Sequence, residues 1–313
     1  MYLLFHNDFD GLASATLLRE KLRTWDITTT RCVSVDYGNN WTSGWPDEAP
    51  GAVAVVDYEY HANALLYFDH HATSFRTESH REHYELRCAA GDTVLLDPTA
   101  PSCTSVIAQW AGWTQRYPNV VALANQIDQA DFTSVEDYLF GRSTALDLLH
   151  TFHRTTEFER LSIMTALEQD NPDEASWVVR STAQELLRYR EVQVRLSESH
   201  CWMNGSVALF DARDVSNLRF VPLHYYPEAA VVCAVATSAN HFLINVYANP
   251  WSTASHLHIG TLLSTYGGGG HANAGVVQPF KTYHDAWSVA YEVAAQINAS
   301  VSYGNIAEFA FTS

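Results

Sequence analysis

The stretch that decides the fold is the first eleven residues, Met1-Tyr-Leu-Leu-Phe-His-Asn-Asp-Phe-Asp-Gly11. Leu3 to Phe5 is a short apolar run that stops at His6, Asp8 and Asp10, and residues 11–25 then carry Ala15, Leu18, Leu22 and Trp25 at the spacing of one helical face. A strand, a polar turn and a helix are the opening of a βαβ unit. In an extended turn His6, Asp8 and Asp10 alternate and point to one side, and Gly11 lets the chain bend into the helix.

Working outward, the pattern repeats. Cys32 to Val35 is a strand ending at Asp36, Ala52 to Val56 a β-branched strand ending at Asp57, and Leu65 to Phe68 a strand ending at Asp69 and His70. Continuous apolar strands alternating with helices predict an α/β fold whose parallel sheet is covered on both faces. Such sheets bind ligands at the carboxyl ends of their strands, where this chain places carboxylates. Residues 76–101 read as a loop, and Ser102 to Trp113 and Pro118 to Ile127 as helices, the second with proline in its first turn. From Ser134 to Ser199 strand signals are nearly absent. Leu161, Met164 and Leu167 at three-residue spacing predict two or three amphipathic helices acting as a spacer. Beyond Trp202-Met-Asn-Gly-Ser, strands at Val207 to Phe210, Ala230 to Ala236 and Phe242 to Tyr247 predict a second, smaller α/β domain. The expected organisation is a parallel-sheet N-terminal domain over 1–150, a helical linker over 151–200 and a C-terminal domain over 201–313.

Composition narrows the function. Among 313 residues, 18 Lys plus Arg stand against 35 Asp plus Glu, a formal charge of −17, and Lys21 and Lys281 are the only lysines. A chain this acidic cannot coat duplex DNA, so any nucleic-acid chemistry requires metal ions or a local arginine pocket. No window approaches 18 consecutive apolar residues, and the N-terminus lacks a basic leader, so no membrane partner and a cytoplasmic location are expected. Five cysteines with no C-x-x-C pair fit reduced thiols.

The chemistry-bearing set is His6-Asn7-Asp8-Phe9-Asp10-Gly11, Asp57, Asp69-His70-His71, and Asp128 within Asn125-Gln-Ile-Asp-Gln-Ala-Asp131. Each piece has an ordinary structural reading: a capped helix, or an aspartate that ends a strand as Asp36 does. Their co-occurrence at the ends of several strands of one sheet gathers carboxylates that would repel one another without cations. Mixed carboxylate and imidazole donors suit manganese, iron or zinc better than calcium, and the absence of thiolates argues against structural zinc. Asp128 is preferred over Asp131 because it follows the apolar helix directly. His80 and His83 are read as exposed loop residues. Trp41, Trp45, Trp110 and Trp113 are read as packing residues, and Tyr247 and Tyr266 as better candidates for base stacking.

In order and spacing these motifs resemble the DHH phosphoesterase superfamily, RecJ-like and oligoribonuclease-type. They include the glycine run Gly267-Gly-Gly-Gly-His271, similar to the signature of the DHH-associated C-terminal domain. The resemblance implies two divalent ions, commonly Mn2+ with Mg2+ as the alternative. His6 and Asp8 would hold one, Asp10, His70 and Asp128 the other, and Asp57 would bridge them. It implies that His71 faces the substrate phosphate with Asp69 supporting the histidines, making Asp57, His71 and Asp69 the catalytic group, and that Gly268, Gly269, Gly270 and His271 bind substrate. After His271 the chain reads Ala-Asn-Ala-Gly, one residue shorter than the family's usual H-x-x-A-A-G, and Ile244 to Asn249 lacks the arginine often found there. The implied activity is metal-dependent hydrolysis of short single-stranded oligonucleotides, linear dinucleotides or nucleotide phosphates. A homodimer is compatible with it. The rival readings are an inorganic pyrophosphatase or polyphosphatase, a cyclic-dinucleotide hydrolase, and a non-catalytic nucleotide-binding module.

Overall fold

The structure, a computed structural model, describes residues 1–35, 51–238, 240–252 and 258–310, with side chains omitted over 302–310. Asp36, Trp41 and Trp45 lie outside the described residues. Two compact units are present: residues 1–131 with 142–186, and 132–141 with 187–313.

In the first unit, β1 (Tyr2–His6), β2 (Arg31–Val35), β3 (Val53–Val56), β4 (Leu66–Asp69) and β5 (Val94–Leu96) form a parallel sheet in the order β2-β1-β3-β4-β5. The central strands are apolar and buried up to the terminal His6 of β1 and Asp69 of β4, as expected for strands covered on both faces. Helix α1 (Phe9–Arg23) buries Leu12, Leu18 and Leu22 and is followed by α2 (Glu78–Ala89), α3 (Cys103–Ala111) and α4 (Pro118–Asp128). The strand order reverses at the β1/β3 pair, so the loops after these two strands diverge and leave a crevice at their carboxyl ends. Phe5, Val56 and Phe68 are in register, which brings His6, Asp57 and Asp69 to one level at that edge.

Two expectations for this unit need correction. The segment expected as a loop over 76–101 contains α2 and β5. Thr77 caps α2 by accepting a hydrogen bond from the His80 amide, but no residue of the helix is fully buried, so it lacks the apolar stripe by which a helix is recognised. The stretch 134–199, expected as a spacer of two or three helices, holds four α-helices: α5 (Val135–Phe140), which belongs to the second unit, α6 (Thr144–Thr151), α7 (Glu157–Glu168) and α8 (Pro172–Ser197). On α7 the buried face is Ile163, Met164, Ala166 and Leu167, whereas Leu161 is 48% exposed. A strict three-residue spacing drifts off a face that turns every 3.6 residues.

The second unit is built on a mixed sheet of β6 (Cys201–Asn204), β7 (Val207–Ala212), β8 (Val231–Ser238), β9 (His241–Ala248), β10 (Gly269–Gly270) and β11 (Ala274–Phe280), in the order β10-β11-β9-β8-β7-β6. The Asn204-Gly-Ser-Val207 segment is a tight hairpin with Gly205 at φ 61°. Helices α9 (Val221–Tyr225), α10 (Ile259–Ser264) and α11 (Tyr283–Ala310) complete the unit. Its core joins Val231, Cys233 and Val235 of β8 and Ile244 and Val246 of β9 to Ala286, Ala290, Val293 and Ile297 of α11. The chain therefore has a two-domain α/β architecture with helical connections.

Candidate metal and substrate site

Gly11 fixes the first corner. A Cβ at this position would lie 2.2 Å from the His6 carbonyl oxygen, so α1 can start directly beneath the end of β1 only with glycine there. Asp8 caps the helix by accepting from the Gly11 amide at 2.8 Å, and its second oxygen lies 2.8 Å from His6 Nδ1. Asp8 is a helix cap through one oxygen, which leaves its other oxygen beside His6. Burial opposes ionisation of Asp8, but His6 and the Gly11 amide outweigh it and hold the carboxyl far below its ordinary value.

Asp10, in the first turn of α1, is gripped by the N-terminus of α3. Its carboxylate accepts from the Cys103 amide (2.7 Å), the Thr104 amide (3.0 Å) and the Thr104 hydroxyl (2.6 Å). That helix end is itself set by Ser102, whose hydroxyl bonds to the Asn125 side chain at 2.6 Å.

Asp57 is the central group. It is 1% exposed and follows β3 with φ 57°, a left-handed conformation unusual outside glycine, and the amide bond to the Phe68 carbonyl at 2.9 Å pins it there. Such backbone strain survives only where the surroundings enforce it and tends to mark functional positions. Both carboxylate oxygens are buried without a hydrogen-bond donor among the described residues. His6 Nδ1, His70 Nε2 and His71 Nδ1 stand 3.7, 3.7 and 3.8 Å away, longer than hydrogen bonds. Burial first, and then the charges of Asp10, Asp8, Asp69 and Asp128, push its carboxyl well above the ordinary range.

The Asp69-His70-His71 triplet divides its work. Asp69 is fully buried and accepts from Tyr67 Oη (2.9 Å), the His70 amide (2.8 Å), His71 Nδ1 (2.7 Å) and the Ser74 hydroxyl. Burial favours its neutral form, but His71, His70 and Ser74 outweigh that and hold it ionised below the usual range. Because Asp69 accepts at His71 Nδ1, and the Ala100 carbonyl accepts at His70 Nδ1 (3.2 Å), both imidazoles present Nε2 to the crevice. His70 Nε2 lies 3.7 Å from Asp57, 3.7 Å from Asp128 and 3.8 Å from Asp10. Burial lowers the His70 pKa, but Asp128, Asp10 and Asp69 raise it above its ordinary value. Asp128 is pushed up to about 6, by burial and then by Asp10 and Asp8 working against the favourable His70 charge.

The donors thus fall into one trio of His6, Asp8 and Asp57 and a second of Asp10, His70 and Asp128, with Asp57 within 3.7 Å of a member of each. This donor set fits a pair of divalent cations: six oxygen and nitrogen ligands, mostly buried, around a carboxylate without a hydrogen-bond partner among the described residues. Asp131 joins neither trio. His80 and His83 do not either; they sit on α2, where His83 Nδ1 meets Tyr60 Oη at 2.7 Å.

Sequence reasoning missed the residues that hold these ligands in place, namely Tyr67 and Ser74 behind Asp69, Thr104 behind Asp10, and Asn125 behind Ser102. The available signal was positional: Tyr67 is two residues before Asp69 on the same face of β4, and Ser102 directly precedes an apolar helix.

In the second unit the glycine run forms the turn into β10 and β11. Gly267 and Gly270 have φ of 76° and 141°, and a Cβ on Gly268 or Gly270 would lie 2.3 Å from the carbonyl oxygen of Val276 or Ala274. The His271 carbonyl accepts from the Gly260 amide at 2.7 Å, tying the hairpin to the start of α10. Tyr247 on β9 is in register with Ala274, immediately after the run.

No family model and no curated protein matches the chain by sequence. Solved structures do match by fold. A pGpG-specific phosphodiesterase from Vibrio cholerae is 20% identical with a TM-score of 0.63, over 95% of this chain and 99% of the other. An exopolyphosphatase-related protein from Bacteroides fragilis is 12% identical with a TM-score of 0.54, over 96% and 93%. RecJ from Thermus thermophilus, in complex with Mn2+, is 13% identical with a TM-score of 0.50, over 96% of this chain and 52% of RecJ. The chain therefore shares the two-domain α/β fold of these proteins.

Proposed function

We propose that the protein is a metal-dependent phosphoesterase acting on short oligonucleotides, linear dinucleotides or nucleotide phosphates. The observation that carries this reading is the pair of donor trios meeting at the buried, strained Asp57. A pair of divalent cations, Mn2+ or Mg2+, would supply an activated water and Lewis-acid stabilisation of the phosphoryl oxygens. His6, Asp8, Asp10, Asp57, His70 and Asp128 would hold them. The chain's own residues do the remaining work. Asp57 lies between the trios with no competing hydrogen bond, so its two oxygens are available to both. Asp69 keeps the proton of His71 on Nδ1 and fixes the ring, so that Nε2 would be free to accept from or donate to a substrate phosphate group. In the second unit, Gly268, Gly269, Gly270 and His271 would bind substrate, with glycine allowing backbone amides to approach a phosphate. Substrates of this size suit a chain with a charge of −17, because two cations and one local cationic group are enough to hold them.

The fold is shared with an exopolyphosphatase-related protein, so phosphoanhydride hydrolysis is the second reading. One experiment separates the two. A 5′-labelled diribonucleotide, a 3′,5′-bisphosphorylated nucleoside and pyrophosphate are each incubated with Mn2+ and either wild type or Asp57→Asn. Mononucleotides released by the wild type alone are expected. Phosphate released only from the bisphosphate or pyrophosphate would replace the proposal with a phosphatase or pyrophosphatase, and a fully active Asp57→Asn would end the two-metal reading.

A further inference from the structure

The two donor trios are not held alike. In the first, Asp8 is fixed within its own strand-to-helix turn by the Gly11 amide, and Asp57 has no hydrogen-bond partner among the described residues. The second trio draws on three elements: Asp10 from α1, His70 from the end of β4 and Asp128 from α4. One short segment, Ala100-Pro-Ser-Cys-Thr-Ser105, reaches all three elements. Its Ala100 carbonyl accepts from His70 Nδ1 at 3.2 Å, and its Cys103 and Thr104 amides and Thr104 hydroxyl donate to Asp10. The Ser102 and Ser105 hydroxyls bond to Asn125 Oδ1 on α4, at 2.6 and 2.7 Å. Ser102 already accepts from the Ser105 amide at 3.0 Å, so its proton is left to donate and the Asn125 oxygen is turned toward α3. The segment is itself anchored. The Asp97 amide donates to the Asp69 carbonyl at 3.1 Å, the Ala100 amide to the Asp97 carbonyl at 3.1 Å, and Ser102, Cys103 and Thr104 are buried.

Asn125 belongs to neither trio, yet it governs one ligand. It lies three residues before Asp128, on the same face of α4. Pinning Asn125 against α3 therefore fixes the rotation of α4 about its axis, and with it the direction in which Asp128 leaves the helix. Asp128 needs such a tie. It is the last residue of α4, where the intrahelical hydrogen bonds run out and the aligned peptide dipoles oppose a negative charge. The far end of α4 is secured separately, by the Asp170 carboxylate, which accepts from the Asn119 and Val120 amides at 3.1 and 2.9 Å. Of the two clamps, the one at Asn125 is beside the carboxylate cluster.

We propose that Asn125 is a positioning residue: through Ser102 and Ser105 it locks α4 to the N-terminus of α3 and so aligns Asp128 with Asp10 and His70, and one cation of the pair depends on it while the other does not. The inference rests on the two-cation reading above, but its test needs no turnover. Mn2+ is titrated into the metal-free full chain by calorimetry, with bound metal counted by elemental analysis and folding checked by thermal unfolding. Wild type should bind two ions. Asn125→Ala should bind one ion as wild type does and the other roughly 10- to 100-fold more weakly, the usual cost of losing a group that orients a ligand. Asn125→Asp keeps an oxygen for both serine hydroxyls and should restore tight binding of both ions. In a His70→Ala background, which removes a ligand of the dependent ion, adding Asn125→Ala should change the affinity of the remaining ion by less than about twofold, as for independent sites. Ser105→Ala removes one of the two bonds and leaves the Ser102 cap, so it should show the same selective loss at smaller size, and it decides the matter should Asn125→Ala not fold.

Equal weakening of both ions in folded Asn125→Ala would overturn the proposal, as would wild-type affinity for both, an Asn125→Asp that restores nothing, or a wild type that binds fewer than two ions. Selective loss of one ion from a protein that cleaves neither phosphoester nor phosphoanhydride would uphold the positioning role and refute the hydrolytic reading. Dinucleotide cleavage by a wild type whose Asn125→Ala variant keeps both ions tightly would do the reverse.

Discussion

The carboxyl edge of the five-stranded sheet and the glycine hairpin of the six-stranded sheet solve opposite problems. At the first, five buried or half-buried carboxylates are crowded together; hydrogen bonds are donated to Asp8, Asp10 and Asp69, whereas both oxygens of the central Asp57 lack a hydrogen-bond partner among the described residues. At the second there is little charge, and the constraint is backbone against backbone: Gly268 and Gly270 pack so closely on β11 that no Cβ fits. In the first region a substitution changes the electrostatics while leaving the chain in place, whereas in the second it moves the chain. Gly11 is the exception, a backbone requirement within the charged region.

The largest effect is expected from Asp57→Asn, which breaks the first half of the comparison. It should lower kcat in Mn2+ by at least about 1,000-fold, the scale of a lost transition-state charge contact. It should also raise the unfolding temperature of the metal-free protein at high pH, because it removes a carboxyl whose ionisation is opposed by burial and by the neighbouring carboxylates. A metal-free variant less stable than wild type would show that Asp57 is held by donors within the chain.

The second pair sharpens the contrast. Gly11→Ala must displace the His6 carbonyl, and a ligand shift of this kind is expected to cost on the order of 100-fold in turnover together with bound metal, read by elemental analysis. Gly270→Ala should leave metal content unchanged and raise KM, because its clash with the Ala274 carbonyl lies in the other unit. Loss of metal in Gly270→Ala would end the division of labour. Asp69→Asn comes next: the fold and the metal should persist while kcat falls roughly 10- to 100-fold, the usual cost of a lost supporting partner, as His71 loses its fixed tautomer.

The two regions were unequally legible in the sequence. His6, Asp57 and Asp69 stood out because ligand-type side chains ending apolar strands are rare, and the parallel register brings them to one edge; Asp8, Asp10 and His70 stood out as their sequence neighbours, and Asp128 as the acidic end of the apolar helix α4. Their supports were not legible, since Thr104 and Ser74 are common residues whose role depends on a long-range contact, 94 positions away for Thr104 and Asp10. Helix α2 was lost because its polar sequence carries no apolar stripe, and β11 because Ala-Gly-Val-Val-Gln-Pro-Phe has the glycine and proline of a loop.

The smallest expected effect concerns pH and tests whether the first region is truly frustrated without cations. Asp57 and Asp128 have folded pKa values above the ordinary 3.8, Asp128 at about 6, so their ionisation costs more in the folded chain and stability falls as pH rises from about 4. His70 is raised above 6.5, so its stabilising proton is lost as pH climbs through the folded value, which acts in the same direction. Asp8 and Asp69 are lowered, and their contributions are lost only under more acidic conditions than these. Between pH 5 and 8 the three raised groups therefore act together, and protein held in chelator should unfold several degrees lower at pH 8 than at pH 5.5. Saturating Mn2+ should flatten or reverse that slope, because a cation binds the deprotonated ligands and stabilises the folded state by mass action. A metal-free protein whose unfolding temperature rises with pH over this range would show that the carboxylates are neutralised within the chain, and the contrast between the two sheet edges would then be one of residue type alone.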